Sequence, residues 1–398
     1  MAKGNMLIAQ SGGPSMVINQ SLVGAVLAAR GCRAVGEIYG ALHGIQGVLD
    51  ERFIDLRKES RRTLEAVAAT PSSALGSVRR KPTAEDCAAI FGVLKRLGAR
   101  YFFYIGGNDS AETVHIIHQE AVKAAYGLGC FHIPKTIDND LRANDHTPGY
   151  GSAARFVACA VKGDDLDNRA LGGVKIDVIM GRNAGFLTAA AALARDAADD
   201  GPHLVYLPER AFSVEGFVRD VKAAVRKYGR CVVAVSEGIA DKDGVPIIAK
   251  FTKEVDSHGN VQLSGTGALG DLLAGVVKEQ AGIKRVRADT FGYLQRSFPG
   301  VASETDAREA RLAGEAAVKA AVGGGVMSGS VAITRRPGKA YAVDFGVVPL
   351  ASVAKETRHV PAAFINKAGN NVTQAFIDYA RPLVGPLPKC ERFEQLKK

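Results

Sequence analysis

The chain repeats a short apolar run, a turn of glycine or polar residues, and a longer run with helical spacing. Clear examples join MLIAQ to VINQSLVGAVLAAR, and ARYFFYI to SAETVHIIHQEAVKAAYG. A strand followed by a helix, repeated along the chain, predicts parallel sheets covered by helices. The strand-like runs lack regular polar alternation, which is typical of sheets buried on both faces. We therefore predict an α/β protein that binds its ligands beyond the carboxyl ends of its strands.

Length and charge narrow the class of protein. At 398 residues the chain is long enough for two domains, each with its own core. The formal net charge is +10, but the basic residues are spread out and runs such as Arg79-Arg80-Lys81 are short. This pattern favours an enzyme for small polyanionic substrates over a protein that binds nucleic acid.

Cysteine usage and hydropathy predict the compartment. The six cysteines are scattered and form no Cys-x-x-Cys pair, so we expect reduced thiols, with neither a zinc site nor a disulfide framework. No run approaches ~18 uninterrupted apolar residues. The opening MAKGNMLIAQ also lacks the apolar core of a signal peptide. We therefore predict a cytoplasmic protein without a membrane partner.

Two glycine turns each join a strand-like run to a helix-like run. They are Ser11-Gly12-Gly13-Pro14-Ser15 and Gly106-Gly107-Asn108-Asp109-Ser110. Backbone N–H groups at the start of a helix bind anions, and glycine lets a ligand approach the backbone closely. Each turn alone also fits a plain strand-to-helix turn, with Ser110 or Asp109 as a helix cap. The acidic Asp109 is unexpected at an anion site.

The segment Pro134-Lys135-Thr136-Ile137-Asp138-Asn139-Asp140 carries the strongest chemical signal. It follows the strand-like GCFHI and places two carboxylates two residues apart, with a threonine before them. One aspartate could accept a proton from an alcohol, and the other could hold Mg²⁺ or position the first. The alternative is a turn rich in aspartate and asparagine that has no catalytic role.

Later segments add cationic and polar groups. Met180-Gly181-Arg182 follows another strand-like run, and Arg182 has the planar fork that suits phosphate. Glu237 ends the strand-like CVVAVSEG, where it could accept hydrogen bonds from sugar hydroxyls. Arg287, Tyr293 and Arg296 place two guanidinium groups and a phenol within ten residues. Taken singly, each of these residues also fits a surface ion pair or the edge of a core.

Several of these stretches occur together and in a fixed order. The order is SGGPS, GSVRRK, GGNDS, PKTIDND, MGRNAG, SEG and GYLQR, from about Leu7 to Arg296. The set closely resembles the phosphofructokinase family, and QAFIDYARPLVGPLP resembles the C-terminal part of its members. The resemblance implies two Rossmann-like domains with mainly parallel sheets covered by helices. We expect a phosphoryl-donor domain of residues 1–149 plus about 297–350, and a sugar-phosphate domain of residues 150–296 plus about 351–398.

The resemblance also bears on the phosphoryl donor. Family members that use ATP typically carry GGDGS and PGTIDND. Those that use pyrophosphate carry Asp in place of the last glycine of GGDGS, and they carry PKTIDND. This chain has Asp109 and Lys135 at those two places, and Tyr293 also matches the pyrophosphate type better. An aspartate would fill the space that a nucleotide α-phosphate occupies and would repel its negative charge, while the lysine ammonium would stabilise a compact diphosphate. The resemblance therefore implies a pyrophosphate-dependent phosphofructokinase.

The implied reaction is reversible transfer of a phosphoryl group from pyrophosphate to the 1-hydroxyl of fructose 6-phosphate, with Mg²⁺. Asp138 would be the general base, and the other catalytic residues would be Thr136, Asp140 and Arg182. The residues implied for the phosphoryl donor are Gly12, Gly13, Arg79, Lys81, Asp109, Ser110 and Lys135. The residues implied for the sugar phosphate are Thr136, Asp138, Met180, Gly181, Arg182, Glu237, Arg287, Tyr293 and Arg296. The implied Mg²⁺ ligands are Asp109 and Asn108.

Some alternatives stay open at this stage. Asn108 stands where the family more often has an aspartate as Mg²⁺ ligand, so the metal ligands are in question. An ATP-dependent enzyme, a preference for sedoheptulose 7-phosphate and a weakly catalytic sugar-phosphate-binding subunit remain possible. A dinucleotide-dependent dehydrogenase is disfavoured, because neither of the two glycine turns that follow a strand-like run has the form Gly-x-Gly-x-x-Gly. The family also implies a homodimer or homotetramer, since a neighbouring subunit often completes the sugar site.

Overall fold

The chain divides into two compact units. The computed structural model describes residues 3–80, 82–250, 267–338, 340–354 and 357–393. The first unit comprises Met1–Ala153 and Tyr293–His359, and the second comprises Ala154–Gly292 and Val360–Lys398. The expected limits at 149 and 297 each lie four residues from the ends of these segments at Ala153 and Tyr293, and the expected limit at about 350 lies about nine residues before His359. The assignment of the donor to one unit and of the sugar to the other stays a prediction.

The first unit contains a seven-stranded sheet. Its strands are β1 (Gly4–Gln10), β2 (Val35–Ala41), β3 (Phe53–Asp55), β4 (Ala99–Gly106), β5 (Gly129–Pro134), β10 (Ser328–Arg335) and β11 (Val343–Val348). Their order is β11-β10-β5-β4-β1-β2-β3. The five central strands run parallel, and β3 and β11 are antiparallel to their neighbours.

Helices cover both faces of this sheet. They are α1 (Ile18–Arg30), α2 (Ile45–Leu49), α3 (Arg61–Ala68), α4 (Ala84–Arg96), α5 (Asn108–Lys123) and α11 (Glu304–Gly323). The short helix α10 (Leu294–Ser297) also belongs to this unit, and α6 (Tyr150–Leu171) begins in it and runs on into the second unit. Successive side chains of a strand point to opposite faces. Ile8 packs into the core with α1 and α11, and Leu7 packs into the core with α4 and α5. The unbroken apolar run of β1 therefore reflects burial on both faces.

The second unit contains a four-stranded parallel sheet. Its strands are β6 (Gly173–Ile179), β7 (Leu204–Tyr206), β8 (Arg230–Ser236) and β9 (Val286–Thr290), in the order β7-β8-β6-β9. Its remaining helices are α7 (Phe186–Ala190), α8 (Val214–Tyr228), α9 (Ala268–Ala281) and α12 (Gln374–Val384). A separate core of buried residues, including Val233 and Phe217, packs the sheet against α8 and α9.

The α/β fold with mainly parallel sheets is confirmed. The first sheet also contains a late antiparallel pair, β10 and β11. All six cysteines are free thiols. Among the described helices, none is both long enough and apolar enough to cross a membrane.

Candidate active site

Three of the predicted motifs lie side by side in the first unit. β5, β4 and β1 are adjacent and parallel, so the turns that follow their carboxyl ends share one edge of the sheet. The hydroxyl oxygens of Ser11 and Ser110 are 2.5 Å apart and join the two glycine turns. The backbone N–H of Lys135 donates to the carbonyl of Gly106 at 2.9 Å, which joins the third motif to the second.

The first glycine turn lies against two cationic side chains. Gly12 has a left-handed backbone with φ of +73°, a conformation that glycine adopts without strain. A Cβ placed on Gly12 would lie 3.2 Å from Nζ of Lys135, and one on Gly13 would lie 3.2 Å from Cζ of Arg296. A side chain at either position would occupy the space beside an ammonium or a guanidinium. The turn and the two cations thus form one surface suited to an anion.

Lys135 is buried in a cationic environment. Its side chain is 3% exposed. The pKa of Lys135 is lowered to about 8, first by burial and then by the Arg296 guanidinium, against the opposing charges of Asp138 and Asp140. Arg79 also lowers this pKa. A bound anion would counter this repulsion and keep the ammonium charged.

Arg296 belongs to the first unit together with Tyr293. The guanidinium carbon of Arg296 lies 4.7 Å from the centre of the Tyr293 ring, a cation–π contact. The Tyr293 side chain is 56% exposed. The predicted sugar-phosphate role of these two residues stays a prediction, and the structure places Arg296 beside the turn that was assigned to the phosphoryl donor.

The two carboxylates of the third motif flank a left-handed turn. Asn139 lies between them with φ of +58°, and the backbone N–H of Asp138 donates to Oγ1 of Thr136 at 3.1 Å. The pKa of Asp140 is raised to about 6, because the carboxyl is buried and because Asp138 repels its negative charge. Asp140 therefore holds its proton to a higher pH than an ordinary aspartate does.

Asn108 offers a ligand that suits a metal ion. Its side-chain carbonyl oxygen is buried, and it has no hydrogen-bond partner among the described residues. A buried oxygen without a donor is costly unless a cation or a proton donor meets it. Asp109 lies next to it in the exposed first turn of α5. The oxygen donors of this turn therefore fit Mg²⁺ or a similar hard cation.

The second unit brings a further group of predicted residues together. β6 and β8 are adjacent and parallel, and Met180-Gly181-Arg182 and Glu237 follow their carboxyl ends. The backbone N–H of Gly181 faces Oε1 of Glu237 at 3.4 Å. Met180 and Glu237 are each 5% exposed. Four of the predicted sugar-phosphate residues thus belong to one pair of neighbouring turns.

Arg287 does not join this group within its own sheet. Arg287 lies on β9, opposite Lys175 of β6. Lys175 is five positions before Met180 in the chain, which corresponds to about 16 Å along a strand. The Arg287 side chain is exposed. The ammonium of Lys175 pairs with Asp164 at 3.2 Å and also with Asp289, so Lys175 is neutralised by its own chain.

Comparisons with known proteins show the family of this chain. The family model described as "Phosphofructokinase" matches residues 5–321. The chain belongs to the phosphofructokinase family. It is 59% identical over 387 residues to a pyrophosphate–fructose 6-phosphate 1-phosphotransferase of Rhodospirillum rubrum, which covers 97% of this chain and 95% of the relative. It is 39% identical to the enzyme of the same name from Xanthomonas campestris pv. campestris, over 96% of this chain and 92% of the relative.

A solved structure supports the same assignment to the phosphofructokinase fold. The crystal structure of a pyrophosphate-dependent phosphofructokinase from Nitrosospira multiformis superposes with a TM-score of 0.88 and 33% sequence identity. The match covers 99% of this chain and 95% of that one. The sequence-based recognition of the family is therefore confirmed.

One serine that sequence reasoning did not assign, Ser77, helps to shape the first glycine turn. Ser77 donates from Oγ to the carbonyl of Gly12 at 2.6 Å, and the Gly12 N–H donates to the carbonyl of Val78 at 3.3 Å. The segment GSVRRK therefore holds the turn through the side chain of Ser77 and the backbone of Val78. The sequence feature that could have pointed to Ser77 is its place in GSVRRK, one of the ordered motifs. Lys81 of this segment lies outside the described residues.

Proposed function

We propose that this chain is a pyrophosphate-dependent phosphofructokinase, which reversibly transfers a phosphoryl group from pyrophosphate to the 1-hydroxyl of fructose 6-phosphate. The names of its relatives support the reaction. The observation that carries the choice of donor is the buried ammonium of Lys135 against the Gly12 turn. A compact diphosphate supplies the negative charge that this cationic surface lacks, without a nucleoside that would have to pass Asp109.

We assign the proton transfer to Asp138. In the forward direction the 1-hydroxyl oxygen attacks the terminal phosphorus of pyrophosphate, and its proton passes to a carboxylate oxygen of Asp138. The bridging P–O bond of pyrophosphate breaks, and phosphate leaves with the electron pair. The reverse reaction follows the same steps backwards. Thr136, which accepts a hydrogen bond from the backbone of Asp138, orients the base.

Cationic groups of the first unit would stabilise the charge that develops on the transferred phosphoryl group. We assign this role to Lys135, Arg296 and the backbone N–H groups of Gly12 and Gly13, with Arg79 as a further donor contact. Members of the family generally use a divalent metal ion, and we propose Mg²⁺. Asn108 and Asp109 would hold it, and when bound it would neutralise part of the charge of pyrophosphate.

We assign the sugar contacts to the second-unit group. Met180, Gly181 and Glu237 would position the sugar, and Arg182 would contact the transferred phosphoryl group. Because Arg287 is exposed and lies about 16 Å along the strand from Met180, we propose that it serves the sugar phosphate of a neighbouring subunit in a homodimer or homotetramer. The free cysteines support a reducing compartment, in keeping with the predicted cytoplasmic location.

The test is a turnover assay with pyrophosphate and ATP in parallel, each with fructose 6-phosphate and with sedoheptulose 7-phosphate. We expect turnover with pyrophosphate and fructose 6-phosphate in both directions. Turnover with ATP alone would contradict the proposed donor. A kcat/KM for sedoheptulose 7-phosphate far above that for fructose 6-phosphate would contradict the proposed acceptor.

A further inference from the structure

A buried histidine lies between two carboxylates in the segment that follows the proposed catalytic turn, Thr136–Asp140. His146 is 2% exposed. Its Nδ1 lies 2.8 Å from Oδ2 of Asp145, and its Nε2 lies 2.6 Å from Oε2 of Glu309 on α11. Neither carboxylate belongs to the proposed substrate contacts. The function described above therefore leaves this buried ring without a role.

The contacts of the ring determine its proton count. A neutral imidazole has one N–H and one bare nitrogen, and ionised carboxylates only accept hydrogen bonds. Two carboxylate contacts therefore require an imidazolium, unless one carboxyl takes the proton instead. Burial opposes the charged ring, but the hydrogen bonds and charges of Asp145 and Glu309 outweigh it, so the pKa of His146 is raised.

The surrounding groups complete this charge cluster. Four further polar or charged residues lie around the ring and its two carboxylates: Tyr341, Arg335, Arg358 and Asp306, which is on α11. The Tyr341 hydroxyl donates to Oε1 of Glu309 at 2.7 Å, and Nε of Arg335 donates to Oδ2 of Asp145 at 3.1 Å. Arg358 donates from Nη1 to the carbonyl of Asn144 at 2.8 Å and also to that of Asp145. Asp306 accepts from backbone N–H groups of residues 149 and 152 instead of from the ring.

The residue after His146 holds the catalytic turn directly. The backbone N–H of Thr147 donates to Oδ1 of Asn139 at 3.1 Å, and Oγ1 of Thr147 donates to the carbonyl of Thr136 at 3.0 Å. Asn139 is fully buried in its left-handed conformation, which a non-glycine residue keeps only when its surroundings enforce it. This left-handed residue sets the relative direction of Asp138 and Asp140.

We propose that His146, as an imidazolium shared by Asp145 and Glu309, is a positioning residue for the general base. It ties the segment that carries Thr147 to α11, and Thr147 in turn holds the turn that presents Asp138. Loss of the ring proton removes one of the two hydrogen bonds and leaves a buried carboxylate facing a bare nitrogen. The proposal rests on the proposed function, in which Asp138 accepts the proton of the sugar hydroxyl.

The sign of the pH effect follows from the raised pKa. A histidine whose folded-state pKa is raised stabilises its surroundings while it is protonated, and this stabilisation is lost as the pH rises through the folded-state pKa. We therefore expect kcat to fall on the alkaline side with one proton lost from His146. Saturating pyrophosphate separates this effect from Lys135, whose charge the bound anion maintains.

Two variants and a control test the proposal. His146→Gln should lower kcat at least tenfold with smaller changes in both KM values, and its kcat should lose the alkaline fall. Glu309→Gln keeps the shape of the side chain but removes one of the two negative charges. It should move the alkaline fall to lower pH by about 1–3 units, the usual effect of one nearby opposite charge. His115→Gln, a change of a partly exposed histidine on α5, should leave the pH profile of the wild type.

The ring itself should be followed by NMR of protein labelled with ¹³C at histidine Cε1. We expect one resonance, absent in His146→Gln, that titrates above the ordinary histidine pKa and shifts to lower pH in Glu309→Gln. An alkaline fall at the same pH in wild type and Glu309→Gln would overturn the proposal, even if His146→Gln failed to fold. A wild-type protein without pyrophosphate-dependent turnover would instead contradict the proposed function, whatever the NMR titration showed.

Discussion

Replacing Lys135 by methionine should stabilise the free protein and weaken its use of pyrophosphate. The side chain is buried, and its pKa is lowered from 10.5 to about 8. A lysine with a lowered folded-state pKa binds its proton less tightly in the folded protein than in the unfolded chain. Its cost to stability is therefore fully present below about pH 8 and disappears as the pH rises toward 10.5.

The magnitude follows from the same shift. At 1.36 kcal/mol per pKa unit, the charged ammonium costs about 3 kcal/mol in the free protein at pH 7. Methionine has a similar length and no charge, so Lys135→Met should raise the free energy of unfolding by about 1–3 kcal/mol at pH 7 and by much less near pH 10.5. Loss of a hydrogen bond from a charged group costs about 1.5–3 kcal/mol, which predicts a 10- to 100-fold lower kcat/KM for pyrophosphate.

The assay is urea unfolding followed by circular dichroism, since the chain has no tryptophan, at pH 7 and pH 10 with and without pyrophosphate. Lys278→Met, which changes an exposed lysine of α9, is the matched control and should alter neither the stability nor the kinetics. The reasoning is wrong if Lys135→Met is less stable than wild type at pH 7 while pyrophosphate still stabilises it to the same extent.

Four further changes test the other assignments. Asp138→Asn should lower kcat about 10²-fold or more with sugar KM largely kept, and near-normal turnover would disprove its role as base. Arg296→Ala should raise the pyrophosphate KM at least as much as the sugar KM, because its guanidinium lies beside the first glycine turn, whereas a rise in the sugar KM alone would place Arg296 at the sugar phosphate instead. The raised pKa of Asp140, about 6, makes the free energy of unfolding of the wild type fall as the pH rises from about 4 to about 6. Asp140→Asn removes this carboxyl, so the variant should have a free energy of unfolding up to about 3 kcal/mol higher than wild type at pH 8. An unchanged pH dependence of unfolding would contradict this. Asp109→Gly combined with Lys135→Gly should raise kcat/KM for ATP and lower it for pyrophosphate, and unchanged ATP use would refute exclusion by Asp109.

The sequence predicted the parts of the site that depend on local chain pattern. The turns after β1, β4 and β5 were recognisable because each apolar run ends in glycine or in dense polar groups, and parallel strands bring their carboxyl ends to one edge. The order of strands in the sheet then makes the three turns neighbours. Met180 and Glu237 follow the same rule in the second unit.

Charge environments and long-range contacts were not predictable in this way. Arg296 lies at the point where the chain returns to the first unit, and no local pattern places its guanidinium beside Gly13. The histidine at position 146 looks like an ordinary loop residue in NDHTPG, because its partner Glu309 lies 163 residues further along the chain. Such pairings depend on tertiary packing, which the sequence pattern does not encode locally.

The residues that we assign to the phosphoryl donor and those that we assign to proton transfer carry opposite charges. Lys135 and Arg296 repel each other, and so do Asp138 and Asp140. In the proposed reaction, pyrophosphate would meet the cations, and the proton of the sugar hydroxyl would meet the carboxylate pair. On this proposal, binding and chemistry would relieve repulsion that is present in the free protein, and this relief would lower the free energy of the charged transition state.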